Sequence, residues 1–106
     1  MPKYLLQASY TVDGVRGLLK EGGTGRAQAL EKVISGLGGK MESFYFVFGK
    51  DDVIIVADLP DNTAAAAVSL AASAGGGARA RVGVLLTPAE IDAATKQNTG
   101  YRAPGA

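Results

Sequence analysis

The sequence predicts an α+β domain in which helices cover one face of a four-stranded antiparallel sheet. Four segments have the composition of β-strands, and stretches with helical periodicity, bounded by capping residues and glycines, separate them. Apolar residues make up 47% of the 106 residues and charged residues 20%, which is typical of a folded globular chain. A chain of this length has room for one domain with one core.

The four predicted strands differ in pattern. The first alternates, so that Tyr4 and Leu6 share one face while Leu5 and Gln7 share the other. The second is rich in aromatic residues, and the third is a continuous β-branched run typical of a central strand covered on both faces. These strands cover residues 3–10, 40–48, 53–59 and 78–87, with a hairpin turn at 49–52.

Capping residues and glycines delimit the helices. Thr11 is the predicted N-cap of the first helix, and Thr24 caps the second after a glycine-rich helix–helix turn. Asp61 or Asn62 caps the third, whose alanine-rich body has high helix propensity. These three helices cover residues 12–20, 24–37 and 63–74.

A fourth helix follows the last strand. Thr87, Pro88 and Glu90 have the spacing of a capping box with proline at the first helical position, and this helix extends to about residue 96. The resulting βαββαβ order with an extra C-terminal helix is that of the ferredoxin-like fold, whose crossovers place the helices on one face of the sheet. We predict one domain over residues 1–97, a flexible tail over 98–106, and pairing of two domains as a dimeric α/β barrel.

Composition excludes several kinds of chemistry. The chain has no cysteine and no histidine, which excludes disulfides, thiolate metal sites, a Ser-His-Asp triad and imidazole bases. The net charge is +1 and the basic residues are scattered, so neither nucleic acid nor a membrane is an expected partner. The N-terminal apolar stretch is too short for a signal peptide or an anchor, and we expect a cytoplasmic protein without cofactor or metal.

The two faces of the predicted sheet differ in polarity. The face under the helices is expected to carry Val53, Ile55, Ala57, Ala80, Val82, Val84 and Leu86. The opposite face is expected to carry Leu5, Gln7, Ser9, Ile54, Val56, Asp58, Arg79, Arg81 and Leu85. The aromatic strand adds Glu42, Phe44, Phe46 and Phe48 to this second face, unless its register slips by one and Tyr45 and Val47 replace the phenylalanines.

The second face is too apolar to remain in water, which indicates a partner, most simply a second copy packed sheet against sheet. Its polar members have two interpretations. The favoured one is an interface network in which Arg79 and Arg81 pair with Asp58 or Glu42 of either copy. The other is a cavity that binds an anionic or carbonyl-bearing small molecule, with candidate ligands Gln7, Ser9, Asp58, Arg79 and Arg81.

The hairpin turn carries two adjacent acids. Because neighbouring strand residues point to opposite faces, Asp51 and Asp52 are not an obvious acid–base pair. We expect Asp51 to be solvated and Asp52 to accept hydrogen bonds from amides of the turn.

Three stretches of the chain carry a family resemblance. They are MPKYLLQASYTVDGVRGLLKEGGTGR, FYFVFGKDDVIIVADLPDNTAAAA and VLLTPAEID. As a block they resemble the GYD domain family of small bacterial proteins of uncharacterised function, which implies a ferredoxin-like fold akin to dimeric α/β barrels. Gly49 and Asp52 match the family's Gly-x-Tyr-Asp turn, whereas Asp51 stands where tyrosine is usual.

Three functional hypotheses follow. The leading one is a non-catalytic homo-oligomeric domain whose sheet face forms the subunit interface, with or without a small-molecule cavity. The second is a cofactor-free monooxygenase-like or isomerase-like enzyme that uses Tyr, Asp or Arg near the sheet, by analogy of fold. The third is an accessory module of a larger complex.

Overall fold

The computed structural model describes all 106 residues. In chain order its elements are β1 (Lys3–Tyr10), α1 (Val12–Glu21), α2 (Gly23–Gly36), β2 (Lys40–Phe46), β3 (Val53–Asp58), α3 (Asn62–Ala74), β4 (Ala78–Leu85) and α4 (Pro88–Thr95). The first crossover therefore contains two helices and the second contains one. This order confirms the predicted α+β, ferredoxin-like arrangement with an extra C-terminal helix.

The four strands form one antiparallel sheet in the order β2-β3-β1-β4. Leu6 at the centre of β1 lies opposite Ile55 of β3 and Val82 of β4. The alternation of β1 therefore fixes which side chains of its two neighbours share a face, as the sequence pattern predicted.

The core lies between one face of the sheet and the helices. Helix α1 packs on β1, α2 on β2 and α3 on β4. The buried side chains come from the sheet, from α2, from α3 and from the residue after β3, namely Tyr4, Leu6, Val53, Ile55, Ala57, Ile34, Ala65, Val68 and Leu59. Every buried strand residue points to this face, so within one chain β3 is covered on one side only, although its composition predicted cover on both.

Three of the predicted N-caps are confirmed. Thr11, Asp61 and Thr87 each accept a hydrogen bond from a backbone N–H in the first turn of the helix they precede. The prediction for α2 was wrong: the helix begins at Gly23 rather than after Thr24, and its N-cap is Gly22. Gly22 has φ +84°, a conformation in which glycine carries no steric penalty, so the break between α1 and α2 is made by the backbone alone.

The register of β2 differs from the first prediction. A β-bulge between Met41 and Ser43 shifts the strand by one residue, and Phe44 then lies opposite Ile55 on the helix side. Phe46 follows on the same side, in edge-to-face contact with Phe44 at a ring-centroid distance of 5.2 Å. The alternative register, in which Tyr45 takes the place of the phenylalanines on the face opposite the helices, is thus the observed one for Tyr45.

The ends of two strands also differ from the prediction. β2 stops at Phe46, so Phe48 belongs to the loop, where its side chain is fully exposed. β4 stops at Leu85, and Leu86 therefore lies beyond the sheet rather than on its helix-covered face. In the second case the chain leaves the strand because Thr87 is already the N-cap of α4.

Helix α1 approaches the start of β4 unusually closely. The Thr11 N–H donates to the Gly77 carbonyl at 3.0 Å, and the Thr11 hydroxyl donates to the Gly76 carbonyl at 2.7 Å. A Cβ on Gly14 would lie 1.8 Å from the Gly77 oxygen. A glycine at position 14 is therefore a condition of this packing.

The C-terminal part of the chain extends away from the domain. All residues from Leu86 to Ala106 are exposed, and no helix or strand follows Thr95. The molecule measures 56 × 33 × 23 Å with a radius of gyration of 16.8 Å, against about 13 Å for a compact chain of similar length. None of the four helices is both long and apolar enough to cross a membrane.

Candidate functional site

The face of the sheet opposite the helices, called here the open face, is the candidate site. No element of the chain packs on it. Its apolar centre is formed by four side chains, Leu5, Ile54, Val56 and Leu85, which are only half-buried by their neighbours in the sheet. Uncovered apolar surface bordered by charged groups is the usual character of a contact surface.

The sheet brings most of the predicted site residues together at one end of the open face. Gln7 lies opposite Arg81 and Ser9 lies opposite Arg79 across the β1–β4 pair. Asp58 pairs with Lys3 instead, four residues away from Gln7 along β1, or about 13 Å at the rise of an extended strand. The predicted set is therefore divided between the two ends of the open face.

Asp51 joins the first group. Its carboxylate accepts a hydrogen bond from the Ser9 hydroxyl at 3.1 Å and forms an ion pair with Arg81. Only 13% of the Asp51 side chain is exposed. The prediction that Asp51 is solvated was therefore wrong, and within the chain Arg81 pairs with Asp51 rather than with Asp58 or Glu42.

Asp52 explains the position of Asp51. The Asp52 N–H donates to the Ala8 carbonyl at 2.9 Å, and its carboxylate accepts from the Tyr10 N–H at 2.8 Å. These bonds extend the β1–β3 pairing into the loop. The side chains of Asp51 and Asp52 therefore point to opposite sides of the sheet, and Asp51 is directed onto the open face. The amide that Asp52 binds belongs to β1, not to the turn as predicted.

Removing the Asp52 carboxylate should destabilise the fold. Asp52→Ala leaves the Tyr10 N–H without its partner, and we expect the free energy of unfolding to fall by about 1–3 kcal/mol. Urea denaturation followed by circular dichroism measures this. The matched variant Lys50→Ala, at an exposed position in the same loop, should stay within about 0.5 kcal/mol of the parent; equal stability of the two variants would contradict the anchoring role.

The other end of the open face carries a three-residue ion pair. The Lys3 ammonium donates to Asp58 and to Glu42, each at 3.0 Å. The hydrogen bond to Asp58 is the main cause that raises the pKa of Lys3, and the one to Glu42 adds to it. Lys3 was missed as a site residue, although its alternation with Leu5 places it on this face.

Arg79 and Gln7 are among the polar side chains of the open face that have no partner in the chain. Arg79 forms no ion pair and Gln7 forms no side-chain hydrogen bond. Arg79 lies opposite Ser9 and two residues from Arg81 on the same strand face. The guanidinium of Arg79 is thus the free cation of this end of the sheet.

A cavity lies on the helix side of the sheet. It has a volume of about 340 Å³ and is lined by Tyr10, Asp13, Glu21 and Arg26 together with several small residues of α1, α3 and the 75–77 loop. Burial raises the pKa of Tyr10, while the charge of Arg26 acts in the opposite direction. The raised pKa favours the neutral form of the phenol. No cluster of carboxylates suited to a metal ion is present anywhere in the chain.

These features define the class of protein: a ferredoxin-like α+β domain whose sheet has one face covered by helices and one uncovered face with an apolar centre and charged ends. The chain belongs to the GYD domain family, because the family model described as GYD domain matches residues 4–95. The match begins in β1 and ends at the last residue of α4. Neither the curated proteins nor the solved structures contain a significant match to the chain.

Proposed function

We propose that this GYD domain is a homodimeric binding domain in which two copies pack open face against open face and hold a small anionic molecule between them. The observation that carries the proposal is the uncovered open face with its four central apolar side chains, Leu5, Ile54, Val56 and Leu85. A sheet that is apolar on both faces needs cover on both. A second copy supplies that cover with no additional component.

The charges of the open face suit contact between identical surfaces. Lys3 and Arg81 are each already paired with carboxylates of their own chain. Four basic side chains, Lys3, Lys40, Arg79 and Arg81, stand against three acidic ones, Glu42, Asp51 and Asp58. The near balance means that two copies related by a twofold axis do not repel each other.

The free polar groups favour an anion as the ligand. Arg79 is unpaired, and its planar guanidinium binds carboxylate or phosphate groups with two parallel hydrogen bonds. Gln7, Ser9 and Arg81 lie beside it and can orient such a group. Asp58, held by Lys3 at the other end, then serves the interface rather than the ligand.

Light scattering together with native mass spectrometry tests the proposal. The expected solution mass is roughly 22 kDa, twice that of the 10.8-kDa chain, and the expected spectrum contains a dimer with a retained anionic small molecule. A monomer at micromolar concentration would overturn the proposal. A dimer without ligand, even after incubation with cell-extract metabolites, would support dimer formation but overturn the proposed binding of a small molecule.

The variant Arg79→Ala should weaken retention of the anion. A charged hydrogen-bonding partner contributes about 1.5–3 kcal/mol, so we expect affinity to fall by roughly 10- to 150-fold. Isothermal titration with the ligand identified by mass spectrometry measures this change. The control Arg16→Ala removes an exposed arginine of α1 on the helix side and should leave affinity unchanged; the same loss in both variants would indicate a non-specific charge effect.

The second candidate function is a cofactor-free enzyme, and the helix-side cavity favours it. A neutral Tyr10 phenol beside the Arg26 charge is suited to donate a hydrogen bond to a carbonyl or an anionic oxygen. A ligand whose retention is lost in Tyr10→Phe but kept in Arg79→Ala would support this candidate in place of the sheet-face site.

A further inference from the structure

The segment from Leu86 to Lys96, called here the C-terminal arm, is a structured element without a surface to pack on. All of its side chains are exposed, including Leu86 at 55% and Ile91 at 47%. Exposed aliphatic residues on a helix normally mark the side that contacts another element. In this chain nothing occupies that side of α4.

The sequence nevertheless specifies the helix strongly. The Glu90 N–H donates to the Thr87 hydroxyl at 3.1 Å, and the Thr87 N–H donates to the Glu90 carboxylate at 3.0 Å, which completes a capping box with Pro88 at the first helical position. An isolated helix of eight residues is not stable in water. The family match includes α4 to its last residue, so the arm belongs to the domain and requires a docking surface.

A suitable surface lies between α3 and β4. This groove has a volume of about 410 Å³ and is lined mainly by Tyr4, Ala65, Ala66, Leu70, Val82 and Val84. Leu70 is 71% exposed and Val84 is 56% exposed. The small residues of α3 in the groove floor leave room for a helix to approach closely. The groove runs along β4, the edge strand from which the arm departs.

The arm does not fold onto the groove of its own chain. The backbone of Thr87 is extended, with φ −72° and ψ 160°, and it leads α4 away from the end of β4. A reversal onto the groove would have to occur at Leu86 and Thr87, where the hydroxyl and the N–H of Thr87 are already committed to the capping box.

The dimensions fit a second copy. Packed sheets lie about 10 Å apart, and two extended residues followed by an eight-residue helix span about 19 Å. When the twofold axis sets the two β4 edges against each other, Ile91, about 13 Å along the arm, therefore reaches past the β4 edge of the sheet that faces it. The contact also adds area to the sheet-to-sheet interface, whose projected footprint, for four strands of about seven residues, is about 450 Å² per copy.

We propose that the C-terminal arms are exchanged in the dimer, with Ile91 of each α4 seated in the α3–β4 groove of the other copy. This inference rests on the proposed face-to-face dimer. It predicts a contact on the helix side of the sheet, whereas the dimer itself is formed by the open faces. The two contacts can therefore be tested separately.

Disulfide trapping tests the exchange. Because the chain has no native cysteine, only the introduced cysteines can form a disulfide. The double variant Leu70→Cys/Ile91→Cys, oxidised as a dimer, should give a covalent dimer in non-reducing electrophoresis. The control pair Leu19→Cys/Ile91→Cys, with Leu19 on the exposed surface of α1, should give none, and neither should any of the single variants. An intramolecular disulfide would overturn the exchange, as would a covalent dimer of a single variant.

Light scattering measures the oligomeric state of the protein independently of the crosslink. A non-covalent dimer that forms no Leu70–Ile91 crosslink would overturn the arm exchange and leave the face-to-face dimer standing, whereas a monomer would overturn both. A second variant avoids dependence on disulfide geometry: Ile91→Glu should raise the dimer dissociation constant at least tenfold. Ala93→Glu, about 200° around the same helix, should change it less than threefold; equal effects of the two variants would also overturn the exchange.

Discussion

Replacing Val56 by glutamate should convert the proposed face-to-face dimer into a monomer. Val56 lies near the centre of the open face, opposite Leu5 of β1 and Ser43 of β2. In a face-to-face dimer each copy would bring one unpaired carboxylate into a layer without water. A buried, unpaired charge costs several kcal/mol, so the two together should raise the dissociation constant by at least 10³-fold, as measured by analytical ultracentrifugation.

The control separates added charge from position. Leu19→Glu introduces the same side chain at an exposed site of α1 on the helix side and should leave the dimer intact. Because Val56 is half-buried within one chain, the monomeric Val56→Glu variant should keep a folded circular dichroism spectrum. A folded Val56→Glu variant that dimerises like the parent would exclude the open face as the interface.

Replacing Gly14 by alanine should destabilise the fold more than any surface substitution. The added Cβ would lie 1.8 Å from the Gly77 oxygen and 2.9 Å from a ring carbon of Tyr10. Backbone cannot give way as a flexible side chain does, so α1 has to move away from β4 and lose the Thr11 bonds to the 76–77 loop. We expect a loss of about 3 kcal/mol or more in the free energy of unfolding.

Gly17 provides the matched control, three residues along the same helix. A Cβ there meets no atom within 4 Å. Because alanine is a better helix former than glycine, Gly17→Ala should stabilise the protein by about 0.5–1 kcal/mol. Thermal and urea denaturation of both variants give the comparison, and a Gly14→Ala variant as stable as the parent would show that the close approach of α1 to β4 is absent in solution.

The elements that the sequence predicted well have local causes. The alternation of β1, the β-branched run of β3 and the capping residues Thr11, Asp61 and Thr87 depend on side chains and backbone within a few residues. The order of these elements was then enough to predict the topology of the sheet. The open face was predicted for the same reason, since Leu5, Gln7 and Ser9 alternate with the core residues of β1.

The misplaced residues have non-local causes. The bulge in β2 turns Phe44 toward the helices because the strand must match the register of β3, which no periodicity within β2 reveals. The Asp51–Arg81 ion pair joins residues 30 positions apart and depends on the loop that Asp52 anchors to β1. Lys3 displaced the arginines as the partner of Asp58 because the β1–β3 register sets Lys3 directly opposite Asp58.

By itself the sequence determined the fold class, the family, the strand and helix order and the presence of a sheet face with an apolar centre and charged ends. These follow from periodicity and capping, which act over short distances along the chain. The tertiary structure decided which charges pair, which side chains β2 presents to each face and that α4 stands away from its own domain. Those results depend on register and on the direction in which each strand ends, and both are set only when the whole sheet is assembled.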